Sequence, residues 1–170
     1  PAPTSRRTAV STVMTSISSS DIEAVLDADG SPTCLGRGGF GAVFLAHLKH
    51  HDEEIVAVKS VTDLANPAAA EQFRREYALH LKLSQRMDGV CRIFGMCEGH
   101  PLFHTCFVMR RYAMSLLDKI KQTPGGLALP RVLSIAARVA RTMAVLHTTH
   151  KLIVADLKPS NILLDERGDA

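Results

Sequence analysis

Tryptophan is absent from the 170 residues, and aromatic side chains of all kinds make up only 5% of them. Nucleic-acid bases would find few rings to stack on, which argues against a single-strand binder. Charge points the same way. The formal net charge is +3, and no basic stripe of the kind that neutralises a phosphate backbone runs along the chain. No apolar run approaches the ~18 residues needed to span a bilayer; the most apolar stretch, 132–146, is interrupted by Arg138 and Arg141. Asn-x-Ser/Thr acceptors are missing as well. The four cysteines, Cys34, Cys91, Cys97 and Cys106, sit among apolar neighbours, in a chain too large to depend on a disulfide scaffold. We therefore expect an intracellular, cytoplasmic chain with no nucleic-acid partner and no membrane segment.

Hydrophobic residues account for 46% of the chain and charged residues for 22%, an ordinary globular balance at a length that buries a sizeable core. The first twenty residues differ: ten are Ser or Thr, Arg6 and Arg7 are basic, and no acid precedes Asp21. Organellar transit peptides share that composition, as do disordered tails. The expectation here is a disordered segment over 1–21. Ser20-Asp21-Ile22-Glu23 reads as the cap of a short helical turn, and Asp29-Gly30-Ser31-Pro32 as a turn.

No internal repeat is visible. A glycine-rich stretch at 35–41 separates two short apolar runs, and the second, 42–48, ends at a polar turn over 50–54. A β-branched run at 55–58 follows and reads as a buried strand. Pro67 suits a first helical position, with Phe73, Tyr77 and Leu81 recurring at helical spacing. Strands are expected at 90–97 and 103–110, a short helix at 116–121 and a long one at 130–147. The long helix carries an apolar stripe through Val132, Ile135, Ala136, Val139, Ala140, Met143 and Leu146. Strands, one helix, strands and then helices make an α+β unit leading into a mostly helical one.

Three motifs carry chemistry. Gly36-Arg37-Gly38-Gly39-Phe40-Gly41 offers backbone that approaches phosphates closely and points N–H groups at them. A dinucleotide fold would need a helix directly afterwards; here another strand follows, so the motif reads as a strand–loop–strand flap. No Gly is followed by Lys, which excludes a P-loop. The second motif, Val56-Ala57-Val58-Lys59, ends a buried strand with an ammonium that is costly unless it finds an anion. Glu76, on the expected helix, is the candidate partner, although taken by itself it is better explained as a solvated helix position. The third motif decides between these readings. Asp156-Leu157-Lys158-Pro159-Ser160-Asn161 fixes Asp, Lys, Pro and Asn at spacings expected by chance on the order of once per thousand chains. Its residue types suit phosphoryl transfer: Asp156 to take or orient a hydroxyl proton, Lys158 to neutralise the moving group, Asn161 to ligate magnesium.

In this order the three motifs resemble the eukaryotic protein kinase superfamily. The resemblance covers residues 22–170, about the first half of that domain. It implies a two-lobed, kinase-like fold: a small lobe over 22–111, with about five antiparallel strands and one helix, then a hinge and the start of a helical large lobe over 112–170. It also implies that ATP lies beneath a flap formed by Leu35, Gly36, Gly38 and Gly41, its adenine between Val43 and Ala57. Lys59 and Glu76 match the family's ion pair, Met109 its gatekeeper, and Arg110 and Tyr112 its hinge. ATP, magnesium and a protein substrate are the implied ligands. Lys158 resembles the serine/threonine branch, and the run through Asp165 looks most like plant-type and tyrosine-kinase-like members. Oligomeric state is not indicated.

The family's His-Arg before the catalytic Asp is replaced by Val154-Ala155. The lost Arg implies that control through an activation-loop phosphate is missing, and the lost His weakens support for the site. The chain ends at Ala170, just before the family's Asp-Phe-Gly, so the 170 residues alone are expected to be poorly soluble and inert. A pseudokinase scaffold or an inert truncated product are the alternatives. Cys97, His100, His104 and Cys106 have zinc-like spacing, but alternate strand positions point to opposite faces. Core cysteines and turn histidines are expected there.

Overall fold

The computed structural model describes residues 16–38, 41–49, 54–61 and 67–170. β1 (Ile22–Ala24), β2 (Cys34–Gly38), β3 (Gly41–Leu48), β4 (Glu54–Ser60), β5 (Ile93–His100) and β6 (His104–Arg110) form one sheet, with α1 (Pro67–Ser84) between β4 and β5. Then come β7 (Met114–Ser115), α2 (Leu116–Lys121), α3 (Leu129–Thr148) and β8 (Leu163–Leu164). The fold is α+β, a small lobe followed by the start of a helical one, as the motifs imply.

The sheet is antiparallel in the order β1-β3-β4-β6-β5, with β2 also paired to β3. Six strands occupy five lanes, because β1 and β2 share one edge of β3. Ile22 to Ala24 face Leu48 to Ala46, while Gly36 to Gly38 face Val43 to Gly41. Residues 25–33 between them make an excursion closed on itself, with Thr33 N–H donating to Val25 O at 2.8 Å and Asp27 N–H to Ser31 O at 2.8 Å. The expected turn is at its tip. Gly30 has φ +80°, and the Asp29 carboxylate accepts from both N–H and O–H of Ser31 at 2.9 and 2.7 Å.

Strand periodicity sorts side chains onto two faces. Val56 and Val58 of β4, with Cys106 and Val108 of β6, enter one cluster with Ile22, Leu48, Cys97 and Phe103. Phe107 enters a second cluster with Val61, Ile93 and Phe73 of α1. The 55–58 run is a strand as expected, with Val56, Ala57 and Val58 buried and Ile55 exposed. His100 departs from the expectation of turn histidines. It is buried, its ring stacks on Phe103 at 4.6 Å, and Nδ1 accepts the N–H groups of Leu102 and Phe103 at 3.2 and 3.1 Å. His104 is exposed beside it, and no group of three His, Cys, Asp or Glu placed to hold a metal occurs among the described residues.

The N-terminal segment also departs from expectation over its described part. Residues 1–15 lie outside the described residues, but Ser16 bridges Met96 in parallel and Ile17 N–H donates to Met96 O at 2.8 Å. The Ile17 side chain is 3% exposed within the first cluster. A 3-10 turn follows at Ser19–Asp21, capped by Ser18, two residues earlier than the Ser20–Glu23 cap expected from the sequence. The polar turn at 50–54 falls mostly outside the described residues.

α2 has the expected bounds, with Ser115 as N-cap accepting from Asp118 N–H at 3.1 Å. Ile135 and Leu146 of the α3 stripe are buried, whereas Val132 is 42% exposed. Leu116, Leu127, Val132, Ile135, Val139 and Ile162 are among the residues lining a cavity of about 390 Å³ there. No helix among the described residues is long and apolar enough to cross a membrane. Gly89 seats α3 against the small lobe, since a Cβ there would lie 1.9 Å from Thr142 Oγ1.

Ile17→Ala should lower stability by about 2–4 kcal/mol, the usual loss for emptying a buried aliphatic site. The urea midpoint measures this, and an unchanged midpoint would show that Ile17 is not part of the core.

Candidate active site

Cross-strand register assembles most of the motif residues into two neighbouring rows on one face of the sheet. Gly36 pairs with Val43, Val43 with Lys59, and Lys59 with Phe107. The next row runs Leu45, Ala57, Met109, Ile93. In-register neighbours share a face, so Val43, Ala57, Lys59 and Met109 all project from the side that carries α1, while Val108 enters the opposite core.

The glycines play unequal parts. Gly41 has φ +152°, and a Cβ there would sit 2.2 Å from Ser60 O, so its lack of a side chain is needed for β3 to approach β4. Gly36 and Gly38 have no such packing reason, since a Cβ at either would meet no atom within 4 Å. Leu35, exposed, lies at the bulge in β2. Gly39 and Phe40 lie outside the described residues.

Lys59 Nζ donates to Glu76 Oε1, the ion pair expected from the sequence. The strand delivers the lysine into a half-buried position, and α1 delivers the carboxylate that offsets its desolvation. Phe73, Glu76, Tyr77 and His80 recur at i, i+3, i+4 and i+7, one stripe of α1 turned to the sheet. All three rings of that stripe meet Phe107, with centroids at 5.1, 5.9 and 6.2 Å. Sequence reading picked out Phe73 and Tyr77 as helix-face residues but missed Phe107 and His80; the stripe's 3-4 spacing was the available signal for His80.

β6 ends at Arg110, whose guanidinium lies 5.5 Å from the Tyr112 ring centroid. Cys91 closes on this corner with Sγ 3.7 Å from Arg110 O, and burial pushes its thiol up to about 12. From there β7 pairs with β8, Met114 opposite Leu164 and Ser115 opposite Leu163. That ribbon returns the 156–161 loop towards the end of the sheet. Within the loop Asn161 Nδ2 donates to Asp156 O at 2.8 Å and Oδ2 at 3.1 Å, and Lys158 Nζ lies 2.7 Å from Asp156 Oδ2. The Lys158 contact, with Asn161 adding to it, holds the exposed Asp156 carboxyl below its ordinary pKa. Asp156, Lys158 and Asn161 are thus one group, and Lys59 with Glu76 another, each held by its own elements. Ile153, Val154 and Leu157 around the loop are exposed.

Residues 32–170 match the protein kinase domain family model. The chain is 35% identical over 149 residues to cysteine-rich receptor-like protein kinase 34 of Arabidopsis thaliana, covering 85% of the chain and 21% of that protein. It is 31% identical to a probable LRR receptor-like serine/threonine-protein kinase of the same plant, over 88% of the chain and 25% of the relative. A third relative, the high affinity nerve growth factor receptor of Mus musculus, is 34% identical over 78% of the chain and 18% of its own length. The chain spans a quarter or less of each of these relatives.

His80 makes the site's packing pH-dependent. Burial lowers its pKa from the ordinary 6.5, against upward pulls from a Cys91 backbone hydrogen bond and from Glu76, with Lys59 pushing further down. As pH falls below about 6.5 the unfolded chain binds this proton first, so stability is lost across the window down to the folded-state value. Urea denaturation between pH 7 and pH 5 should show that loss, and His80→Leu should reduce it. Parallel curves for the two proteins would mean that His80 is not the group responsible.

Proposed function

The chain belongs to the eukaryotic protein kinase superfamily, and on that premise we propose that the protein carrying it transfers the γ-phosphoryl group of ATP, with magnesium, to serine or threonine hydroxyls of a protein substrate. The observation that carries this reading is the Lys59–Glu76 pair, set in the row that begins at Gly36.

The residues present fit a magnesium nucleotide. The open space beside Gly36 and Gly38 leaves room where packing alone would tolerate a side chain. Val43, Ala57 and Met109 offer apolar surface on the same face, and Leu35, Arg110 and Tyr112 stand at its margins. With Asn161 Nδ2 committed to Asp156, its Oδ1 is the oxygen left for a hard cation. When bound, the magnesium nucleotide supplies the phosphoryl group and the charge that neutralises it. Lys59 holds phosphate oxygens and Glu76 orients Lys59. Asp156, ionised, accepts the hydroxyl proton, and Lys158 lies beside it to balance charge moving onto the acceptor.

Lys158 supports the serine/threonine assignment, as does the name of one plant relative. An intracellular, cytoplasmic place for this domain accords with four free thiols. A nucleotide-binding scaffold is the second reading, favoured by Val154-Ala155 and by the exposure of Val154.

In the full-length protein, Lys59→Ala should lower turnover about 10²–10³-fold, the scale for losing one preorganised electrostatic partner. An unchanged rate would overturn the assignment. Phosphoamino-acid analysis of the product should give phosphoserine or phosphothreonine; phosphotyrosine alone would reject the acceptor class. Nucleotide binding without turnover in the unaltered protein would favour the scaffold.

A further inference from the structure

Phe107 stands directly across the β4–β6 ladder from Lys59 and is fully buried. Lys59 Nζ lies 5.6 Å from the centroid of its ring, within the range at which an ammonium is drawn to an aromatic face. Phe73, Tyr77 and His80 contact the same ring from α1, and they share their helical stripe with Glu76. One ring therefore receives both the helix that carries the carboxylate and the ammonium that the carboxylate binds.

We propose that Phe107 is a positioning residue for nucleotide binding: its π face holds the Lys59 ammonium at the point where α1 presents Glu76, so that the lysine is aimed before any phosphate arrives. This inference rests on the nucleotide reading given above. A long, flexible lysine held by Glu76 alone keeps much of its rotational freedom. The ring adds a second, differently directed attraction and removes that freedom in advance, which is how preorganisation raises affinity. Phe44, which stacks on Phe103 at 5.3 Å, belongs to the opposite cluster and has no part in this.

The test replaces Phe107 in the full-length protein with 4-fluoro-, 3,5-difluoro- and 3,4,5-trifluorophenylalanine. These keep the ring's shape while progressively weakening the negative potential of its face. Two quantities are read: solvent exchange of the Lys59 ammonium protons in the nucleotide-free protein, and affinity for a fluorescent ATP analogue with magnesium. Exchange should quicken and affinity fall along the series, by about three- to tenfold at trifluorophenylalanine. The affinity trend should vanish on a Lys59→Met background. A flat exchange series would overturn the proposal and leave Phe107 as a packing residue. A sloping exchange series in a protein that binds no nucleotide would support the aiming of Lys59 and reject the nucleotide reading instead. Loss of affinity that persists on the Lys59→Met background would also overturn it, since the ring would then act on something other than the lysine.

Discussion

An ammonium group brought into the half-buried face of a sheet has to be met by an anion, and much of the small lobe is arranged around meeting it. β4 is buried on both faces through Val56, Ala57 and Val58, so Lys59 at its end cannot turn to the solvent without disturbing the strand. Glu76 reaches it because α1 lies against the sheet through Phe73, Tyr77 and His80. The same requirement explains a helix otherwise modest in amphipathicity: its stripe is made of rings and one carboxylate, with few aliphatic side chains. The ion pair ties strand to helix. By the usual reckoning of buried pairs its value lies more in specifying one arrangement than in net stability.

The α+β order, the bounds of α2 and the start of α1 at Pro67 were legible because local signals coincide there: a first-turn proline and clean periodicity. That Lys59 meets Glu76 was legible because a lysine ending a buried strand calls for an anion on the next helix. Other features required tertiary information. That Lys59 faces Phe107, and that Met109 shares a row with Ala57, depends on strand register across a gap of about fifty residues, which no local pattern encodes. Gly89 carries no signal of its role in the local sequence, and only the approach of Thr142 explains it. His100 read as a turn residue because it lies between two strand candidates, whereas the stacking of its ring on Phe103 and its acceptance of two backbone N–H groups place it in the core. The five expected strands appear as five lanes; that residues 25–33 split one lane into β1 and β2 was not legible, because each fragment is too short to show alternation.

The 156–161 loop is held differently from the small-lobe pair. Its order comes from within: a 3-10 turn at Pro159–Asn161, two hydrogen bonds from the Asn161 amide and one ion pair. Val154-Ala155 contributes no polar group to this set. A loop that secures its own carboxylate in this way can keep its local shape with little help from the residues immediately before it. That is the physical reason the family's motif remains recognisable here despite the loss of two of its usual members.

The bridge from Ser16 to Met96 bears on where this fold can be cut. β5 is the outermost strand, and a bare outer strand offers its N–H and C=O groups to any extended chain that comes near. The match to the protein kinase domain family model begins at residue 32, and a polypeptide started there would retain Lys59, Glu76 and the whole 156–161 loop. It would also uncover the flank of β5 and open the space that Ile17 fills. Such a product would keep the residues of its chemistry and lose its protection against pairing edge to edge with its own copies. The residues just ahead of the family match thus cover part of an otherwise open strand edge.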